Sequence, residues 1–175
     1  VWEAFEDASL APRTVRSVGM YVGASTSGYL SEALGRGVTV SGAEAPFAAT
    51  AWSLAILSNR VSYFFDWSGP SMTIDTACSS TVVALDIAIA QLRAGQTQRA
   101  VVGGSSLLDV FLTKIIRGAG MTGHDSRSKT FDVRANGYGR GEGVLALVLE
   151  RADQAASYSS ILSTAVMQDG HSNGI

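Results

Sequence analysis

The sequence predicts one domain of the α/β class, with strands and helices stacked in layers. Apolar segments of strand character alternate along the chain with segments whose apolar residues recur at helical spacing, which is typical of this class. The 175 residues match the length of one domain, and 46% of them are hydrophobic, so a large core is expected. No repeat, low-complexity segment or linker divides the chain, and residues 1–175 are interpreted as one unit.

The first part of the chain predicts two helices and one strand. Residues 1–8 show an amphipathic helical pattern, whereas apolar residues alternate along residues 17–24 as they do in a strand. A run of glycine and serine from residue 23 ends that strand. Apolar residues at helical spacing predict a further helix over about residues 45–66, closed by the turn at residues 66–70.

The centre of the chain predicts a strand, a helix and a second strand. Residues 71–75 are rich in β-forming residues and are predicted to be a strand. Residues 77–93 are apolar around almost the whole helical circumference, so this helix is expected to be buried on nearly all sides. Gly95 ends the helix, and residues 99–103 supply the next apolar strand.

The last part of the chain predicts a helix over residues 110–118 and a glycine-rich loop over residues 132–143. An apolar strand follows at residues 144–150, and a last strand is predicted near residues 161–167. The glycine-rich loop is not interpreted as a nucleotide-binding loop, because it leads into a strand and lacks the required spacing. Its glycines are expected to allow close backbone approach at the floor of a site, with Glu142 as a structural partner.

The composition argues against several classes of function. Thirteen basic and fifteen acidic residues give a net charge of −2, so no nucleic-acid-binding surface is expected. The longest apolar run, residues 144–149, is far shorter than the ~20 residues that cross a bilayer, so no membrane interaction is expected either. One cysteine and two histidines are a poor set of metal ligands, and an unpaired cysteine predicts an intracellular, cytoplasmic protein.

The only cysteine, Cys78, lies where a predicted buried strand meets a predicted buried helix. In the first turn of a helix, unpaired N–H groups and the helix dipole favour a thiolate over a thiol. The same N–H groups can stabilise an oxyanion while a thioester carbonyl is attacked. Cys78 is therefore a candidate nucleophile, although a buried and inert cysteine is the commoner situation when the pattern is taken alone. Asp75 could orient the cysteine turn by accepting hydrogen bonds from nearby N–H groups, but an aspartate that satisfies a turn at the end of its strand is the commoner situation.

The segment around Cys78 resembles the active-site signature of β-ketoacyl synthases, specifically the ketosynthase domains of type I polyketide synthases. It reads Gly69-Pro-Ser-Met-Thr-Ile-Asp-Thr-Ala-Cys-Ser-Ser80. Six further blocks resemble that family in the family's own order, and they lie at residues 1–8, 58–66, 102–104, 129–132, 134–143 and 168–174. The strings Asn59-Arg-Val-Ser-Tyr-Phe-Phe65 and Ala135-Asn-Gly-Tyr-Gly-Arg-Gly-Glu142 are most similar to those of fungal iterative, highly reducing synthases.

The resemblance implies a thiolase-like fold, of which this chain would be part of the N-terminal half, a layered α/β/α arrangement with a mixed sheet. It implies that Cys78 takes an acyl chain from the phosphopantetheine of an acyl carrier protein, with no directly bound cofactor. In the complete protein, a decarboxylative Claisen condensation with a malonyl-type extender would follow. The implied partners are the acyl carrier protein, acyl and malonyl thioesters and a second copy of the protein, with residues 99–102 at the dimer interface.

The two histidines that assist decarboxylation in this family lie far downstream of the cysteine. Neither His124 nor His171 occurs in a matching motif, so both family histidines are expected beyond residue 175. His171 is expected to be a solvent-facing turn residue. The chain starts at Val1 inside an amphipathic run and ends after a turn-rich stretch, which indicates one partial ketosynthase domain truncated at both ends.

One loop departs from the family pattern. Residues 121–127 read Met-Thr-Gly-His-Asp-Ser-Arg, whereas the family usually has Met-Leu-Ser-Pro-Asp-Gly-Arg. Loss of the proline and the glycine is expected to alter the turn.

Two alternatives to a condensing enzyme remain open. A thiol hydrolase would need a base close to Cys78, and the sequence does not visibly offer one. A non-catalytic ketosynthase-like partner, which only shapes a dimer, would typically have replaced the cysteine.

Overall fold

The structure is a computed structural model that describes residues 1–25, 33, 35–37, 39, 41–152 and 158–171. Its elements, in chain order, are α1 (Trp2–Asp7), β1 (Val18–Gly23), a 3₁₀ turn (Gly42–Glu44), α2 (Ala45–Ala51), α3 (Leu54–Phe65), β2 (Ser71–Ile74), α4 (Ser80–Arg93), β3 (Arg99–Ser106), α5 (Val110–Gly118) and β4 (Gly143–Glu150).

The four strands form one mixed sheet in the order β2-β1-β3-β4. Strand β1 is parallel to both of its neighbours, with Met20 opposite Ser71 on one side and Val101 on the other. Strand β4 is antiparallel to β3, with Leu149 opposite Ala100. The predicted α/β class with a mixed sheet is therefore confirmed.

Helices cover both faces of this sheet. On one face, Phe5 of α1 and Phe65 of α3 pack with Trp67 against Met20 and Val101. On the other face, the buried side chains of α4 pack against β1 and β3; this cluster contains Tyr21, Ala84, Ala88, Leu92, Ala100 and Val102. All six residues of β1 are buried, because this central strand has a helical layer on each side.

Two helix predictions need correction. The helix predicted over residues 45–66 is divided into α2 and α3, because Ser53 adopts an extended conformation with ψ of 118°. The helix predicted from residue 77 begins at Ser80, since residues 76–79 form a turn instead. This second helix is also less buried than expected, because only one of its faces packs on the sheet and Val82 is 60% exposed.

The strand predicted near residues 161–167 is wrong. This segment has no strand structure and lies against α4, where Arg93 donates to the Leu162 carbonyl and Thr164 donates to the Asp86 carboxylate. A helix has no free row of backbone groups to pair with, so a segment packed on one cannot extend a sheet.

The predicted dimer strand, residues 99–102, lies in the interior of the sheet. Strand β3 is hydrogen-bonded on both sides, and Val101 and Val102 are fully buried. A second copy therefore cannot pair with it. The edge strands among the described residues are β2 and β4. Within the same ranges, none of the helices is both long enough and apolar enough to cross a membrane.

Candidate active site

Cys78 lies in the turn that joins β2 to α4, and its side chain is exposed. The turn follows the carboxyl end of β2, which lies beside the carboxyl end of the parallel strand β1. In open α/β sheets, ligands bind beyond the carboxyl ends of the parallel strands. The structure therefore places the only thiol of the chain at the end of the sheet where a site is expected. It corrects one expectation, because Cys78 lies in the turn before α4 and not in the first turn of the helix.

The turn around Cys78 is held by its own serine and threonine side chains. Ser79 Oγ donates to the Thr76 carbonyl at 2.8 Å, and Ser80 Oγ donates to the Ala77 carbonyl at 2.6 Å. Ser80 Oγ also accepts from the Thr76 N–H at 2.9 Å. The two serine hydroxyls that follow the cysteine thus bond to the turn, while the thiol is left exposed.

Ala77, directly before Cys78, has a φ of 54°. This left-handed conformation costs an alanine about 1 kcal/mol, because its Cβ crowds the following carbonyl. Non-glycine residues hold such a conformation only where the surrounding structure fixes it, and such residues cluster at active sites. The backbone strain of this turn is therefore located at Ala77, the residue directly before the cysteine.

The start of α4 is packed tightly onto the ends of two strands. A Cβ on Gly23, the last residue of β1, would overlap the backbone of Ser80 and Thr81. A Cβ on Gly104 of β3 would lie 2.6 Å from Thr81 Oγ1. Glycines at these two positions let the backbone of α4 approach the sheet, which fixes the height of the cysteine turn above the strands.

Asp75 links the cysteine turn to β1. Its Oδ1 accepts hydrogen bonds from Ser25 Oγ at 2.9 Å and from the Ala77 N–H at 3.0 Å. Sequence reasoning favoured a turn-satisfying role for Asp75 at the end of its strand and kept orientation of the cysteine turn as the alternative, and the bond from Ala77 is compatible with both roles. It missed Ser25, which has no recognisable motif and becomes a partner of Asp75 only because β1 and β2 are neighbours in the sheet.

Neither histidine is positioned as a base for Cys78. His124 and His171 are both exposed, as expected for His171, and no hydrogen bond joins either of them to the cysteine in the described part of the chain. The first turn of α4 contains no acidic residue, and the carboxylate described above, that of Asp75, lies before the helix. Among the described residues, no three His, Cys, Asp or Glu side chains lie close enough together to hold a metal ion.

The glycine-rich loop packs against the segment that contains His124. A Cβ on Gly137 would lie 2.5 Å from the Gly123 nitrogen, and one on Gly139 would overlap the Ser126 carbonyl oxygen. The predicted close approach is therefore made to this neighbouring turn. Glu142 Oε2 accepts from the Leu108 N–H at 2.8 Å, which confirms its role as a structural partner.

The turn at residues 123–126 is closed by a hydrogen bond of 2.9 Å from the Ser126 N–H to the Gly123 carbonyl. Ser126, which stands where the family usually has glycine, has a φ of 56°. Lys129 donates to Asp125 Oδ1 at 3.0 Å and to Asn136 Oδ1 at 2.9 Å, joining this turn to the glycine-rich loop. The hydrogen bond from Lys129 lowers the pKa of Asp125.

Comparison with known proteins defines the class to which this fold and site belong. The chain belongs to the β-ketoacyl synthase family, because the family described as beta-ketoacyl synthase, N-terminal domain, matches residues 1–155. It is 38% identical over 185 residues to the lovastatin nonaketide synthase mokA of Monascus pilosus. It is 40% identical over 184 residues to the polyketide synthase component of the compactin nonaketide synthase of Penicillium citrinum.

Among solved structures, the chain is similar to the ketosynthase from module 6 of the bacillaene synthase of Bacillus subtilis 168. The two share 34% identity with a TM-score of 0.79, over 99% of this chain and 30% of that one. The resemblance to polyketide ketosynthases of fungal type and the thiolase-like fold are thereby confirmed. Each of the two fungal matches covers the whole of this chain but only 6% of the fungal synthase.

Proposed function

We propose that this chain supplies the acylation site of a polyketide ketosynthase, with Cys78 as the nucleophile. The observation that carries the proposal is an exposed cysteine on a strained turn at the carboxyl ends of parallel strands, in a chain of the β-ketoacyl synthase family. The coarser conclusion, condensation chemistry, follows from the family. The role of Cys78 as the nucleophile and the partners of the chain are what we propose.

In the proposed reaction, the Cys78 thiolate attacks the carbonyl carbon of an acyl thioester carried on phosphopantetheine. A bond forms between Sγ and that carbon, the bond to the pantetheine sulfur breaks, and the pantetheine thiolate leaves. A carbanion made by loss of CO₂ from a malonyl-type thioester then attacks the acyl-cysteine. A carbon–carbon bond forms, and the Cys78 thiolate is released for the next cycle.

The partners follow from this chemistry. An acyl carrier protein presents both thioesters, and no cofactor binds the chain directly. We propose a homodimer, for which the sheet edges β2 and β4 are available and β3 is not. We also propose that the chain is one partial domain of a longer cytoplasmic protein. Donors for the developing enolate come from other residues, because His124 and His171 do not reach Cys78.

Mass spectrometry of the complete synthase, incubated with an acyl thioester, tests the proposal. The acyl group is expected on Cys78 and absent in Cys78→Ala, and a cerulenin-type electrophile should label the same residue. Persistent labelling in Cys78→Ala would overturn the assignment. Rapid release of free acid without condensation would favour a thiol hydrolase, and no acylation at all would favour a non-catalytic dimer partner.

A further inference from the structure

We propose that Asp75 is a positioning residue for the Cys78 nucleophile, and that Ser25 holds Asp75 in place. The inference rests on the proposed acylation at Cys78 and assigns the residues that aim it. Asp75 Oδ1 receives two hydrogen bonds, one from Ala77 within the cysteine turn and one from Ser25 after β1. The aspartate therefore connects the turn to a second strand of the sheet.

Ala77 is the residue through which Asp75 acts. Its N–H donates to Asp75 Oδ1 at 3.0 Å, and its carbonyl accepts from Ser80 Oγ at 2.6 Å and from the Ser80 N–H at 3.1 Å. Both polar groups of Ala77 are thus held, which keeps its φ at 54°. Without the bond to Asp75, this alanine gains about 1 kcal/mol by returning to negative φ.

The dihedral angles of Ala77 set the direction of the peptide that follows, and that peptide carries Cys78. Relaxation at Ala77 would therefore rotate the thiol and the Cys78 N–H away from the position that the turn gives them. A misplacement of about 1 Å can reduce a reaction rate by about a hundredfold. The proposed role of Asp75 is to prevent that rotation.

Ser25 distinguishes this arrangement from an ordinary turn at a strand end. An aspartate that only satisfies its own turn needs no further partner. Here the Ser25 hydroxyl, 50 residues earlier in the chain, donates to the same carboxylate oxygen at 2.9 Å. The bond ties the end of β2 to the end of β1, and so transmits the rigidity of the sheet to the turn.

The hydrogen bonds require an acceptor oxygen at Asp75 and do not require its charge. In the complete synthase, Asp75→Asn is therefore expected to keep the rate of Cys78 acylation within about threefold of wild type. Asp75→Ala is expected to lower kcat for acylation by about tenfold or more while KM for the acyl thioester stays constant. Ser25→Ala should give a smaller loss, and Ser25→Thr should retain the rate.

A second substitution makes the test specific to backbone conformation. Glycine adopts positive φ without the cost that alanine incurs. Adding Ala77→Gly to Asp75→Ala should therefore raise the rate of Cys78 acylation at least about threefold above that of Asp75→Ala alone. Asp132→Ala is the matched control, because Asp132 Oδ1 also accepts an N–H two residues ahead, from Arg134 at 2.8 Å, in the glycine-rich loop.

The outcomes separate this inference from the proposed function. If wild type carries no acyl group on Cys78, the proposed function fails. If wild type is acylated and Asp75→Ala is acylated at the same rate, only the positioning role fails. An equal loss in Asp75→Ala and Asp132→Ala, or a loss that Ala77→Gly does not reverse, would also overturn it, because both results indicate general destabilisation.

Discussion

The last residue of β1, Gly23, lies directly against the backbone of Thr81 in the first turn of α4. A single added methyl group at Gly23 would overlap the Thr81 nitrogen. Backbone atoms cannot move aside as the end of a flexible side chain can. This contact therefore fixes the start of α4, and with it the cysteine turn, relative to the centre of the sheet.

Replacing Gly23 with alanine should destabilise the protein by about 3 kcal/mol, because α4 must shift to admit the new methyl group. It should also slow alkylation of Cys78 by iodoacetamide, since the turn moves with the helix. Denaturant unfolding and the alkylation rate measure the two effects. Gly118→Ala is the control, because a Cβ there meets no atom within 4 Å. Equal stability of the two variants would show that the contact between Gly23 and the Thr81 backbone does not fix the position of α4.

Tyr21→Phe should raise the free energy of unfolding by about 1 kcal/mol. The Tyr21 side chain is fully buried between the sheet and α4, and its hydroxyl has no hydrogen-bond partner among the described residues. Removing an unsatisfied buried hydroxyl relieves a desolvation penalty. Denaturant unfolding measures the change, with the 90% exposed Tyr63 as the control site. A loss of stability in Tyr21→Phe would indicate a hydroxyl partner.

The same tyrosine makes the fold sensitive to alkaline pH. Burial raises the pKa of Tyr21 above its ordinary value of 10.0. The unfolded chain then loses this proton first, so the stability that depends on it is complete below about pH 10 and is lost as the pH rises through the folded-state pKa. Tyr21→Phe should flatten the decline in unfolding free energy above pH 10. An unchanged slope would contradict the assignment.

Ser126→Gly should stabilise the turn at residues 123–126 by about 0.5 to 1 kcal/mol. Ser126 has a φ of 56°, a region that glycine occupies without steric cost. Ser126→Ala keeps a Cβ and therefore the strain, so it should show no such gain. Thermal unfolding of the two variants is the direct comparison. A gain of the same size in both would point to the serine hydroxyl and away from the backbone.

Lys129→Met should raise the titration midpoint of Asp125. The hydrogen bond from Lys129 lowers the pKa of Asp125 below 3.8, so the stability it contributes is present above that pH and is lost as the pH falls through the lowered pKa. NMR titration of the Asp125 carboxyl group measures the shift. Arg134→Met is the control, because Arg134 lowers the pKa of Asp132 instead and should leave Asp125 unchanged.

The cysteine turn shows how much of the site could be predicted. The order of strand, cysteine and helix was visible in the sequence, because the β-forming run before Cys78 and the apolar helical run after it are local signals. The part that Ser25 contributes was not visible. It depends on β1 lying beside β2, and no pattern in the intervening residues encodes that neighbour.

The sequence by itself determined the α/β class, the apolar periodicity of the strands and helices, and the family whose active-site signature surrounds Cys78. Each of these depends on residue type and on spacing along the chain. Only the tertiary structure decided that β3 lies inside the sheet, that residues 161–167 lie on a helix instead of extending the sheet, and that Asp75 is tied to Ser25. A strand or an aligned side chain needs a partner beside it, and that partner comes from a distant part of the chain.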